Sequence, residues 1–152
     1  EWLVSRGGGA SFDAHALSGI TGIHASDGRV TCSLMVDPHL TNRYGTLHGG
    51  LTATLVDVVG TAALVTRSEE SGVSVEISIS YLSAMPGGEE VEIDARVLRV
   101  GRTLGTVVVD LRHKATGRLV AQGRHTKPTG NYHHAGQALT GGRGPWGARA
   151  SG

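Results

Sequence analysis

One apolar run dominates what this chain can fold into. From Gly49 to Val65 it reads GGLTATLVDVVGTAALV, with a single charged residue, Asp57, in its middle. Its alanines and leucines are good helix formers. Over residues 48–66 the apolar side chains go nearly all round the helical wheel, which predicts a buried helix rather than a surface one. The run is about as long as a short membrane span. An acid and three threonines inside it argue against that reading, since an intramembrane carboxylate is costly. The rest of the chain must therefore cover this helix.

That cover reads as strands. LSGITGIHAS (17–26) and RVTCSLMV (29–36) flank Asp27-Gly28, a hairpin turn. DPHLTNRYGTL (37–47) is a loop. After the helix, SGVSVEISISYL (71–82) alternates strictly, with Val73, Val75, Ile77, Ile79 and Tyr81 on one face and Ser74, Glu76, Ser78 and Ser80 on the other. EEVEIDARVLRV (89–100) alternates as well. LGTVVVDLRH (104–113) and RLVAQGRHTK (118–127) follow, joined by a turn at Lys114–Gly117. Four successive strands with short turns predict an antiparallel meander. The whole predicts an α+β fold, a six-stranded antiparallel sheet wrapped round one central helix, which is the hotdog arrangement.

At 152 residues the chain fits one domain. We assign residues 12–127 to it, with an irregular segment at 1–11 and a Gly-rich, flexible tail at 128–152. His133 and His134 in that tail are read as solvated rather than metal-binding. Lys and Arg number 14 against 13 Asp and Glu, which removes any whole-chain electrostatic case for nucleic acid or an anionic membrane. A single cysteine, Cys32, excludes an internal disulfide and a cysteine metal cluster. With no legible signal peptide, the expected compartment is intracellular, cytoplasmic or mitochondrial.

The chemistry gathers where the helix begins. GTLHGG (45–50) sets Gly49 and Gly50 at a helix N-terminus, where backbone N–H groups lack partners and the dipole is positive. Such an end can hold an anion or a developing oxyanion, or it can be a tight loop-to-helix entry. Asp57 adds a carboxylate that an apolar helix tolerates only if it is paired or functional. It can serve as a general base or nucleophile, or as an interface acid paired with Arg43 or Arg67. Eight residues separate Gly49 from Asp57, roughly 12 Å along a helix. One small reacting centre cannot touch both within one chain. If both act on it, two antiparallel helices from two copies must share the site, which predicts an obligate homodimer or a dimer of dimers.

These residues carry a family resemblance. Asn42 to Asp57, NRYGTLHGGLTATLVD, resembles the hotdog-fold acyl-CoA thioesterases, in particular the animal thioesterase superfamily member 2 branch, related to the bacterial phenylacetyl-CoA thioesterases. The likeness runs from about Phe12 to Lys127 and takes in GVSVEISISYLS, GRTLGTVVVDL and KATGRLVAQGRHTK. It implies hydrolysis of acyl-CoA to free acid and CoA, with no cofactor, CoA being part of substrate and product. By motif, Asp57 would activate water or attack directly, and the Gly49 amide with Asn42 would polarise the thioester carbonyl. Ser74 would help hold the water, and His48 would orient the junction. Asp57 and Ser74 would come from one subunit, Asn42 and Gly49 from its partner. Read alone, Asn42 can equally shape a turn, His48 can start the helix, and Ser74 can be an idle strand residue.

The resemblance also implies CoA contacts at Tyr81, Leu82, Ser83, Ala84, Met85 and Pro86, with Ser74 beside them. It implies more at the turn of Arg99, Val100, Gly101, Arg102, Thr103 and Leu104. Arg124 and Lys127 are further candidates for phosphate pairing. Pro128 stands where the family pattern expects a polar residue. Aromatic content of 4% favours an aliphatic acyl channel, hence medium- or long-chain fatty acyl-CoA, over aryl stacking. Two alternatives remain: a hotdog hydratase or dehydratase, and a non-catalytic acyl-CoA binding protein.

Overall fold

The β1–β2 hairpin, Ile20–Ser26 and Arg29–Met35, turns on Gly28, which adopts φ +74°. A left-handed backbone suits glycine there and would strain most other residues. The computed structural model describes residues 11–68 and 73–129. The expected flexible segment before Ser11, the tail beyond Thr129 and the pair His133 and His134 lie outside the described residues. A short helix, Phe12–Ala16, precedes β1 and is capped by the Ser11 hydroxyl, which accepts from the Ala14 amide at 3.1 Å.

The central helix runs Gly49–Val65, close to the predicted span. His48 caps its start, its Nδ1 accepting from the Gly50 amide at 2.9 Å. At the other end Thr66 ties the helix to the hairpin. Its hydroxyl donates to the Ala63 carbonyl and accepts from the Gly28 amide, both at 2.7 Å. Arg67 adds a two-pronged bond to Asp27 at 2.9 Å. The remaining strands are β3, Glu76–Tyr81; β4, Glu90–Val100; β5, Leu104–His113; and β6, Leu119–Pro128. The last strand continues one residue past the expected domain end.

The sheet corrects one expectation. All six strands pair antiparallel, but in the order β1-β2-β4-β5-β6-β3, so the four strands after the helix do not form a simple meander. Strand β4 is paired on one side with β2 and on the other with β5. It therefore has no free edge for β3. Instead β3 pairs with the far side of β6, Ile77 opposite His125 and Tyr81 opposite Ala121. The helix bridges the sheet between the two halves, and the result is the α+β hotdog arrangement. The ladder of β3 also starts later than its alternation suggests. Val73, Ser74 and Val75 precede it and are exposed.

The core lies between the helix and the inner face of β2, β4, β5 and β6. Leu55, Val56, Val59 and Ala63 are fully buried against Val91, Ile93, Val109, Leu111 and Ala121. Contact is close because a strand glycine opposes a helix side chain. A Cβ on Gly123 would lie 2.5 Å from Val56 Cγ2, and a Cβ on Gly105 would lie 2.6 Å from a Leu64 methyl. Packing reaches most of the helix but leaves a stripe uncovered. Gly50, Ala53, Thr54, Asp57 and Val58 are half-buried or exposed, at the i, i+3, i+4, i+7, i+8 spacing of one helical face. Beside it, β3 leaves Ile77 and Tyr81 exposed on the same side of the sheet. Among the described residues no helix is long and apolar enough to cross a membrane.

Candidate active site

Asp57 sits on the uncovered stripe, its side chain 41% exposed, and meets a set of polar groups. Its Oδ1 lies 3.4 Å from the Ser74 hydroxyl, 3.5 Å from the Thr61 hydroxyl, 3.7 Å from His125 Nε2 and 4.0 Å from the Lys127 ammonium. Thr61 is one helical turn on. Ser74 reaches in from the segment before β3. His125 and Lys127 come from β6, where alternate residues Ala121, Gly123, His125 and Lys127 face the helix.

His125 Nε2 and Ser74 Oγ lie 2.9 Å apart. His125 is fully buried. Burial pushes its pKa down to about 4; Asp57 opposes this and Lys127 adds to it. The imidazole is therefore neutral at pH 7. Its Nδ1 is buried without a partner. Which of Nε2 and Ser74 Oγ donates follows from the imidazole tautomer. Ser74 Oγ stands between the two, 2.9 Å from Nε2 and 3.4 Å from Asp57 Oδ1. This chain of contacts ties the Asp57 carboxylate to β6 through Ser74.

The second group of residues surrounds the helix start. The Gly49 amide has no hydrogen-bond partner among the described residues, while its carbonyl accepts from Tyr81 Oη at 3.0 Å. Asn42, Gly49, Thr52, Tyr81, Leu82, Ser83, Ala84 and Met85 line a cavity of about 350 Å³, closed by Leu47, Val120 and Ala121. Asn42 is first a turn residue. Its Oδ1 accepts from the Tyr44 and Thr46 amides at 2.9 and 3.3 Å, and its Nδ2 donates to Thr46 Oγ1 at 3.0 Å. This ties the loop down and leaves Asn42 on the cavity wall. His48 acts as a helix cap, as its bond to Gly50 shows. Pro86 pairs with Thr46 and so braces the same loop. Arg118, which the sequence reading did not single out, donates to the Ala84 carbonyl at 3.0 Å and sets a cation near this segment.

The two groups of residues stay separate within the chain, one at the helix start and one at its middle. The phosphate candidates also divide. Arg124 and Lys127 lie on opposite faces of β6: Arg124 is exposed on the outer face, whereas Lys127 is 8% exposed and points at Thr61 and Asp57. Its ammonium faces the carboxylate instead of solvent. Arg99 and Arg102 are exposed at the β4–β5 turn, with no hydrogen bond or ion pair among the described residues; Val100 and Leu104 end the strands, and Gly101 and Thr103 accept from Thr129. His125 and Thr61 were missed by residue-type reasoning. The alternation of β6 was the available signal, since it sets His125 and Lys127 on the face of the buried helix.

Comparison with known proteins fits this geometry. The thioesterase superfamily profile matches residues 44–121. Acyl-coenzyme A thioesterase 13 from Homo sapiens is 52% identical over 116 residues, covering 76% of this chain and 83% of that protein. The crystal structure of zebra fish thioesterase superfamily member 2 superposes with a TM-score of 0.76 at 48% identity, covering 80% of this chain and 88% of that one. A Streptococcus mutans protein solved bound to acetyl CoA superposes with a TM-score of 0.68 at 28% identity, over 73% of this chain and 89% of its own.

Proposed function

The chain belongs to the thioesterase superfamily and is an acyl-CoA thioester hydrolase, and from that premise we propose that it cleaves medium- or long-chain fatty acyl-CoA at a site shared between two copies. Asp57 takes a proton from water as that water attacks the thioester carbonyl carbon. Ser74, held by His125, keeps the water and carboxylate aligned. The oxyanion accepts a hydrogen bond from the Gly49 amide of the other copy, with Asn42 nearby. Collapse expels the CoA sulfur, which takes up the proton, leaving free acid and CoA thiol. The chemistry invokes no resident cofactor.

The observation that carries this reading is the separation of the two groups along one helix, by roughly 12 Å, on a stripe its own sheet leaves uncovered. Strand β3 supports a second copy there. It is a sheet edge, and Val73, Val75, Ile77 and Tyr81 are exposed along it. Leu47, Leu82, Met85, Val120 and Ala121 on the cavity wall support an aliphatic acyl group. The exposed arginines of the β4–β5 turn, with Arg118 and Arg124, are the proposed partners of CoA phosphates. The lone, buried Cys32 supports a reducing compartment, cytoplasmic or mitochondrial.

Mixed subunits test the shared site. Asp57→Asn and Asn42→Ala proteins are each assayed for thiol release from a panel of acyl-CoAs, then mixed after reversible dissociation. If sites are shared, half of the mixed dimers' sites are intact, and a random mixture recovers about a quarter of wild-type activity. No recovery in demonstrably mixed dimers would defeat the shared site. Sedimentation of the wild type separates a dimer from a dimer of dimers.

A further inference from the structure

The geometry points to Lys127 as a positioning residue for hydrolysis, a buried cation that clamps Asp57 through Thr61 rather than a ligand for a CoA phosphate. This rests on the reading of Asp57 as the base. Lys127 Nζ donates to Thr61 Oγ1 at 3.0 Å and stands 4.0 Å from Asp57 Oδ1. A threonine hydroxyl that accepts this bond keeps its own proton to give away. Thr61 donates it to the Asp57 main-chain carbonyl at 2.7 Å, and its hydroxyl oxygen stands 3.5 Å from the carboxylate Oδ1. One ammonium thus braces both the carboxylate and the helix turn that carries it.

Among the described residues no other cation does this. Asp57 is faced by Thr61 from its own helix, by Ser74 from the segment before β3, and by His125 and Lys127 from β6. Ser74 and Thr61 are uncharged, and the buried imidazole is neutral. Among the described residues Lys127 supplies the one full positive charge beside a carboxylate set in an apolar helix. Its long stem packs inside the core, which is what lets a cation stand there. Burial draws the ammonium's pKa below its ordinary value, and the carboxylate of Asp57 draws it back up.

A split of kinetic constants tests this. Lys127→Met is compared with wild type on a fatty acyl-CoA and on the same acyl chain carried by pantetheine, which lacks the nucleotide phosphates. A clamp predicts that kcat falls ~10-fold or more, the scale of a misplaced catalytic group. The loss is the same on both substrates, and KM for acyl-CoA stays within about twofold, because no binding contact is removed. A KM increase with acyl-CoA that disappears with acyl-pantetheine would mark Lys127 as a phosphate ligand and overturn the inference, as would an unchanged kcat. Thermal unfolding checks that the variant folds. Should Lys127→Met not fold, Thr61→Val breaks the same clamp, and a folded Thr61→Val with wild-type kcat overturns the inference. Asp57→Asn is run alongside. Activity in that variant defeats the base reading, whereas an inactive Asp57→Asn with a fully active Lys127→Met defeats the clamp alone.

Discussion

Replacing Gly123 with alanine tests how the sheet holds the helix that carries Asp57. The added Cβ would lie 2.5 Å from Val56 Cγ2, 2.6 Å from Cγ1 and 3.1 Å from Cβ. Ordinary carbon contacts begin near 3.5 Å, so about 1 Å must be recovered. Val56 cannot supply it by turning, because it is fully buried and β-branched, with one favoured rotamer in a helix. The helix must lift instead, or β6 must bow. Overpacking of this kind costs about 2–3 kcal/mol, which lowers Tm by roughly 6–10 °C for a domain of this size. Function falls too. Val56 precedes Asp57, and Gly123 lies two residues before His125, so the strain widens the gap between Asp57 and His125. We expect kcat to drop ~10-fold with KM little changed. Circular dichroism melts and thiol release measure the two effects. Val56→Ala in the same chain removes the colliding methyls, so the double variant should be more stable than the sum of the single losses predicts, by at least about 1 kcal/mol. Additive losses, or a Gly123→Ala protein that melts with wild type, would refute the close-packing argument.

Three further outcomes follow from single contacts. His125 has a folded pKa of about 4, below its ordinary 6.5, so the unfolded chain binds a proton the native state refuses. Stability is intact above pH 6.5 and falls by about 2–3 kcal/mol as pH drops toward 4; the difference between wild-type and His125→Gln melts over that range should show it, and a pH-independent difference would contradict it. His48→Ala should cost about 1 kcal/mol through the lost helix cap, and His48→Asn should restore most of that stability; no rescue in denaturant melts would point away from capping. Tyr81→Phe removes the hydroxyl bond to the Gly49 carbonyl and frees the helix start, so stability should fall by about 1 kcal/mol with kcat reduced several-fold; wild-type kinetics would leave that bond without a functional part.

The helix and all six strand segments were legible because each carries a local signal. The run 49–65 is apolar round its circumference, β4 and β6 alternate against it, and β5 is a nearly continuous apolar run. Asp57 stood out as the lone charge in that run. What escaped was long-range. Nothing in SGVSVEISISYL tells which neighbour it will pair with, since its alternation suits any edge. The order of the sheet was decided by β2, which takes the free side of β4. Lys127 and Arg124 read alike as surface cations because residue type was weighed before face. Three residues apart on a strand, they point opposite ways, one to Asp57 and one to solvent.

Strand β3 also shows why an apparently anomalous pattern was informative. Its apolar residues face the helix side of the sheet, as the alternation predicts, yet Ile77 and Tyr81 remain exposed. The helix packs most heavily on β4 and β5 and meets β3 only in part, through Ile79 and the Tyr81 hydroxyl at Gly49. The strand is patterned for burial, yet among the described residues nothing covers Ile77 and Tyr81 on that face. The uncovered helical stripe lies on the same flank and carries Asp57. The proposed second copy, turned about a two-fold axis, would meet both deficits and bring the Gly49 end of one helix toward the Asp57 of the other. The packing deficit and the separation of the chemical groups thus support the same proposal of a second subunit, although one concerns apolar area and the other the reach of a hydrogen bond.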